Sequence, residues 1–131
     1  MLLESYWVNR AFAKIAFIYL AIGAFQIASG SDRLPVVSTS QSSNYINFYA
    51  DLAIDGSTDG LFNNRSTTAT QRESEAWWGA DLGSIGIIDE IRLWNQTDAF
   101  SARLSEFYVL ISEQPFVSSD LATTISDPPL Q

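Results

Sequence analysis

Glu75-Ala76-Trp77-Trp78-Gly79-Ala80-Asp81-Leu82-Gly83-Ser84-Ile85-Gly86-Ile87-Ile88-Asp89-Glu90-Ile91-Arg92-Leu93-Trp94-Asn95-Gln96-Thr97-Asp98 is the stretch on which the fold turns. Trp77 to Leu82 reads as one strand, Gly83-Ser84 as a turn, and Ile87 to Asn95 as a second strand, together a hairpin. In the second strand Ile91 and Leu93 fall on one face and Glu90 and Arg92 on the other, the period-two alternation of a half-buried strand. Adjacent strand residues point to opposite faces, so Trp77 and Trp78 cannot form a single stacking platform, and core packing is their expected role. Beyond Asn95 the sequence turns polar up to Arg103, a rim whose purpose the rest of the chain must explain.

Outward from this stretch, Leu104 to Ser112 reads as a third strand, apolar on both faces and so expected at the centre of a sheet. The tail from Glu113 is turn-rich, Asn63 to Glu75 is a polar loop without periodicity, and Pro35 to Thr39 reads as an edge strand. Two closely spaced Asp-Gly steps, Asp55-Gly56 and Asp59-Gly60, call for tight reversals because glycine accepts positive φ. No helical period follows the first thirty residues. Short strands with long loops predict an all-β chain, a jelly-roll β-sandwich.

Residues 1–30 differ in kind. Arg10 and Lys14 precede the uncharged run Ile15 to Phe25, and Ala28 and Gly30 follow as small residues. This is the order of a secretory signal peptide, and the run is short for a membrane span. The expected division is a signal helix or membrane anchor over 1–30 and one domain over 31–131, with a secreted, extracellular or periplasmic address. Membrane contact is expected only through the N-terminal segment.

Composition excludes several functions. With 15 acidic against 7 basic residues and a formal charge of −8, the chain lacks the cationic surface that nucleic acid requires. It has no histidine and no cysteine, which removes histidine-based acid–base catalysis, thiol nucleophiles and ordinary zinc sites. Glu73 and Glu75 lie in a loop and Asp89-Glu90 in a strand, and nothing sets a carboxylate pair across a cleft. No enzymatic activity is expected.

Leu52 to Gly60, Trp77 to Gly83, Trp94 to Asp98 and Arg103-Leu104, in this order and spacing, resemble the F-type lectin (fucolectin) family, a branch of the galactose-binding-like and discoidin (factor V/VIII C-type) superfamily. The resemblance spans Val37 to Ile125. It implies a carbohydrate-binding module, with fucosylated or other glycans as partners, and a structural Ca2+ held by the Leu52 carbonyl, the Asp55 carboxylate, Ser57 and the Ser66 carbonyl. Serine stands at Ser57 where the family usually has Asn or Asp, and Asx-type turns at Asp55 and Asp59 are the competing reading of this loop.

The resemblance also implies a sugar site at Ala69, Gln96, Asp98, Phe100 and Arg103. Ala69 stands where the family has histidine and Gln96 where it has the first arginine, while Asp98 and the second arginine, Arg103, are retained. Phe100 falls where the family has a cysteine of its apolar platform, and its ring can face sugar C–H groups. Loss of two charge-assisted contacts at about 1.5–3 kcal/mol each weakens binding on the order of 10²–10⁴-fold, so glycan binding here is expected to be weak. Arg103 has a second reading, an ion pair with Asp98 that braces the rim. Two alternatives stand beside the lectin: a discoidin-like adhesion or protein-binding module, and an inactive fragment truncated before the family's last strands.

Overall fold

The computed structural model describes residues 4–19, 23–29, 32–105, 107–116 and 118–126, with side chains from Leu34 onward. The chain is all-β, with strands β1 (Glu4–Tyr19), β2 (Gly23–Ser29), β3 (Asp32–Arg33), β4 (Ser38–Gln41), β5 (Trp78–Asn95) and β6 (Tyr108–Ser112). A six-residue helix, α1 (Leu121–Ser126), and three 3₁₀ turns complete the described elements. Asp120 starts α1 by accepting from the Thr123 amide at 2.7 Å, a helix onset that the turn-rich tail conceals.

β5 is the spine. Its first part, Trp78 to Asp81, pairs antiparallel with β4, and its last part, Glu90 to Asn95, pairs with β2. β1 runs along the other flank for the length of β5, from Glu4 opposite Leu93 to Ile18 opposite Trp78. The expected hairpin is therefore a single bent strand. Gly83 takes φ +73° and its amide bonds Asp81 Oδ1 at 2.7 Å, which bends the chain without reversing it. A Gly-Ser pair reads as a turn in sequence, but strand partners on both sides keep the chain extended.

The expected helix at the N-terminus is also corrected. The backbones of residues 4–19 and 23–29 are strands, because an apolar run satisfies its amides in a sheet as well as in a helix when open strand flanks are at hand. Residues 1–3, 20–22 and 30 lie outside the described set, and with them the cleavage point. Among the described residues no helix is long and apolar enough to cross a membrane.

A third correction concerns β6, which among the described residues is terminal in the sheet and pairs with β1 alone. Its apolar run is half-buried because Val109 and Ile111 pack on the core while Tyr108 faces out.

The core lies along β5. Trp78, Ala80, Leu82, Ile88, Ile91 and Leu93 are buried, joined by Ala50 and Ala53 from the 3₁₀ turn Ala50–Ile54. Trp78 donates from Nε1 to the Ala50 carbonyl at 2.8 Å, so the indole is a core residue with its polar handle satisfied. Arg92 stays outside in an ion pair with Glu90 at 2.8 Å, as the alternation requires.

Candidate functional site

Where β5 ends, its chain continues as the rim that borders a cleft. The backbone reverses through Asp98: its carbonyl accepts from the Ser101 amide at 3.1 Å, and its Oδ1 accepts from the Phe100 amide, also at 3.1 Å. A 3₁₀ turn over Ser101–Arg103 follows, held by the Arg103 amide on the Phe100 carbonyl at 3.0 Å. Residues three apart eclipse in a 3₁₀ turn, so Phe100 and Arg103 share a face. The Arg103 guanidinium lies 4.1 Å from the centre of the Phe100 ring, in cation–π distance.

Two further loops close the cleft. The segment after β4 brings Tyr45, whose amide bonds the Ala69 carbonyl at 2.9 Å, and Phe62 stacks on the buried Phe48 with centroids 4.1 Å apart. Gln41 joins these loops from beneath, donating to the Phe48 carbonyl at 2.8 Å and the Ala69 carbonyl at 3.2 Å while accepting from the Thr68 hydroxyl. The segment before β5 contributes Gln71, Arg72 and Glu73. Glu73 Oε1 accepts from the hydroxyls of Ser42 at 2.7 Å and Ser43 at 2.6 Å, which fixes this loop to the one after β4. The enclosed volume is about 550 Å³, within the range of small-ligand sites, with Tyr45, Phe62 and Phe100 as aromatic walls.

Three of the five residues expected at a sugar site line this cleft. Ala69 forms part of its floor, and Phe100 and Arg103 border it. The other two act below. Gln96 is buried and donates from Nε2 to Asp98 Oδ1 at 2.6 Å, while its Oε1 has no partner among the described residues. Asp98 Oδ2 also takes a long bond, 3.4 Å, from the Phe62 amide. The Gln96 bond, then the Phe100 amide, hold the Asp98 carboxyl below its ordinary value, with Arg103 contributing only at longer range. The ion-pair reading of Arg103 with Asp98 is thus replaced by cation–π contact with Phe100. Tyr45, Phe62 and Arg72 were missed by sequence reasoning, since loop residues carry no periodicity. For Tyr45 and Phe62 the one signal was an aromatic ring in an otherwise polar loop, and Arg72 carried none.

The four residues expected at calcium sit in an adjoining loop. Leu52 packs against the pair Phe48 and Ala69. Asp55 Oδ1 accepts from the Ser57 amide at 2.7 Å, an Asx turn. The Ser66 hydroxyl donates to Asp59 Oδ1, which also receives the Leu61 amide at 2.7 Å, and Asn64 donates to Asp59 Oδ2 at 3.1 Å. These bonds, the Ser66 hydroxyl first, hold the Asp59 carboxyl below its usual value. Asp59, outside the expected set, is the organiser of this loop. As a donor set, Leu52, Asp55, Ser57 and Ser66 offer a single carboxylate, and no group of three or more acidic side chains gathers among the described residues. A hard dication wants more oxygens than this. The residues do not fit calcium as they stand.

Fold and cleft together define an all-β binding module with its site in loops at one end of the central strand. Residues 52–128 match the family of NedA-like, galactose-binding domains, and the chain belongs to that family, within the factor V/VIII C-type, galactose-binding-like class. No curated protein and no solved structure matches the chain.

Proposed function

We propose that this protein is a carbohydrate-binding module that takes its saccharide in the cleft between Tyr45, Phe62, Phe100 and Arg103. The observation that carries this reading is the pairing of exposed aromatic faces with an arginine fork in one concavity. Rings supply apolar area against sugar C–H groups, and a guanidinium supplies directed donors to ring oxygens and hydroxyls. The resemblance to F-type lectins bears on the location of the site more than on its chemistry. With Ala69 apolar and Gln96 buried beneath the rim, two polar contacts of the fucose type are absent, so a fucosylated glycan is held weakly at best. No catalytic step is proposed, and calcium has no part in the binding reading.

The proposed address is outside the cytoplasm. It is supported by the order of basic, apolar and small residues in 1–30. N-terminal sequencing of the exported product tests it, and a product retained in the cytoplasm with Met1 intact rejects it.

A glycan array probed with the full chain, with and without calcium, tests the main reading. Binding to any glycan that Phe100→Ala abolishes supports it, and no binding to any glycan rejects it. A protein-binding, discoidin-like role has one observation in its favour. Ile46 is 68% exposed at φ +54°, a costly conformation for a β-branched residue, beside the exposed Tyr45 and Tyr49. Partner capture lost in Ile46→Gly, alongside an empty array, is the result that favours that role.

A further inference from the structure

We propose that the cleft selects saccharides carrying a carboxylate over their neutral counterparts, an inference that rests on the carbohydrate-binding reading above. Arg72 and Arg103 both line the cleft. In a chain with about twice as many acids as bases, neither has a carboxylate within ion-pairing distance among the described residues. Elsewhere the arginines are used differently: Arg92 pairs with Glu90, and Arg65 donates to the Asn47 carbonyl at 2.8 Å.

The two carboxylates near the cleft are committed to neutral donors instead. Glu73 Oε1 takes the hydroxyls of Ser42 and Ser43, and Asp98 takes Gln96 and the Phe100 amide. Their charges remain, but Glu73 Oε1 and Asp98 Oδ1 are occupied by these neutral donors, and neither carboxylate pairs with a guanidinium fork among the described residues. Arg103 is held by Phe100, which fixes the fork without using its N–H donors. A planar fork with free donors matches a planar carboxylate better than a hydroxyl, and the bonds it forms are charge-assisted on both sides. A uronic acid lying with its apolar face on the aromatic walls presents its carboxylate at the edge, within the reach of such forks.

The test uses the purified full chain and three sugars of one ring configuration: galactose, galacturonate and the neutral methyl ester of galacturonate. Titration calorimetry or ligand-observed NMR is expected to show galacturonate bound about tenfold more tightly than either neutral sugar. The preference is expected to fall in Arg72→Gln, to be better kept in Arg72→Lys, and to shrink in about 0.5 M salt, where exposed charges are screened; a preference unchanged in Arg72→Gln overturns the role of Arg72. Arg72 is exposed in a loop, and an unchanged melting temperature verifies that the variants fold. Galactose bound as tightly as galacturonate overturns the selectivity while leaving the carbohydrate reading intact. Failure of every glycan, neutral or acidic, on the array overturns both.

Discussion

The Arg103 guanidinium rests 4.1 Å above the Phe100 ring, and this contact converts a mobile cation into a fixed donor at the mouth of the cleft. It arises from spacing alone, since a 3₁₀ turn sets residues three apart over each other. Phe100→Leu keeps an apolar residue but removes the π face, worth about 0.5–1 kcal/mol at an exposed site. The expected outcome is saccharide binding weakened about two- to fivefold with the melting temperature almost unchanged. Arg103→Ala is expected to weaken binding further, because it removes the donors as well. Calorimetric titration of both variants checks the order, and equal affinities for wild type and R103A would rule out the assigned role.

Gly60 ties the Asp-Gly loop to the rim. Its carbonyl accepts the Thr97 amide at 2.9 Å, and a Cβ built there meets the Asn95 carbonyl oxygen at 2.6 Å with φ at +68°. Both the strain and the clash press on the end of β5. Gly60→Ala is expected to destabilise by about 1–3 kcal/mol, read as a fall in the midpoint of urea unfolding.

Much of this was legible in the sequence, and the failures have physical causes. Alternation in Glu90 to Leu93 foretold which side chains are buried, because that strand has one wet face. The Asp-Gly steps foretold the positive φ of Gly56 and Gly60. Two signals misled for the same reason. Gly83-Ser84 read as a reversal, yet the chain runs on through it because Asp81 before it and Gly86 after it pair with β1; Ile15 to Tyr19 and Gly23 to Phe25 read as helix, yet their backbones are extended on strand partners far off in sequence. Within the site, Ala69, Phe100 and Arg103 were legible through the resemblance, whereas Arg72 and Tyr45 reach the cleft only through the Ser42, Ser43 and Ala69 hydrogen bonds. Such side-chain ties leave no pattern along the chain.

Acid is expected to loosen the rim before the core. Asp98 and Asp59 both have folded-state values below their ordinary 3.8, through hydrogen bonds from Gln96 and Ser66 respectively. For a depressed carboxyl the stabilising contribution is present above the unfolded value and is lost as pH falls through the folded one. Stability is therefore expected to be flat from neutrality down to about pH 5 and to decline below about pH 4. Asp98→Asn is expected to show a shallower acid decline than wild type, with lower stability at pH 7. An unchanged slope in D98N would remove Asp98 from this account.

Calcium provides a direct check on the Asp55–Ser66 loop. Asp55 already holds the Ser57 amide, and Asp59 is saturated by Ser66, Leu61 and Asn64. Melting in about 1 mM calcium is expected to match melting in chelator within about 1 °C, since a ligand stabilises only what it binds. A rise of several degrees would mean that Leu52, Asp55, Ser57 and Ser66 reorganise to complete a site on binding.

The N-terminal segment yields the most decisive stability experiment, because export and folding make opposite demands on it. β1 lies between β5 and β6, pairing Ile15 to Ile18 with both Asp81 to Trp78 and Ser112 to Val109. Its removal leaves β6 without a strand partner among the described residues and uncovers a whole flank of β5. An uncovered flank exposes a row of unpaired amides and carbonyls and invites association. A chain of residues 31–131 is therefore expected to melt broadly, well below the full chain, and to aggregate at concentrations where the full chain stays monodisperse. Calorimetry and light scattering on the two chains decide it. A sharp, equally high transition in 31–131 would show that Leu34 to Ser126 closes its own sheet, and that β1 and β2 are dispensable to the fold.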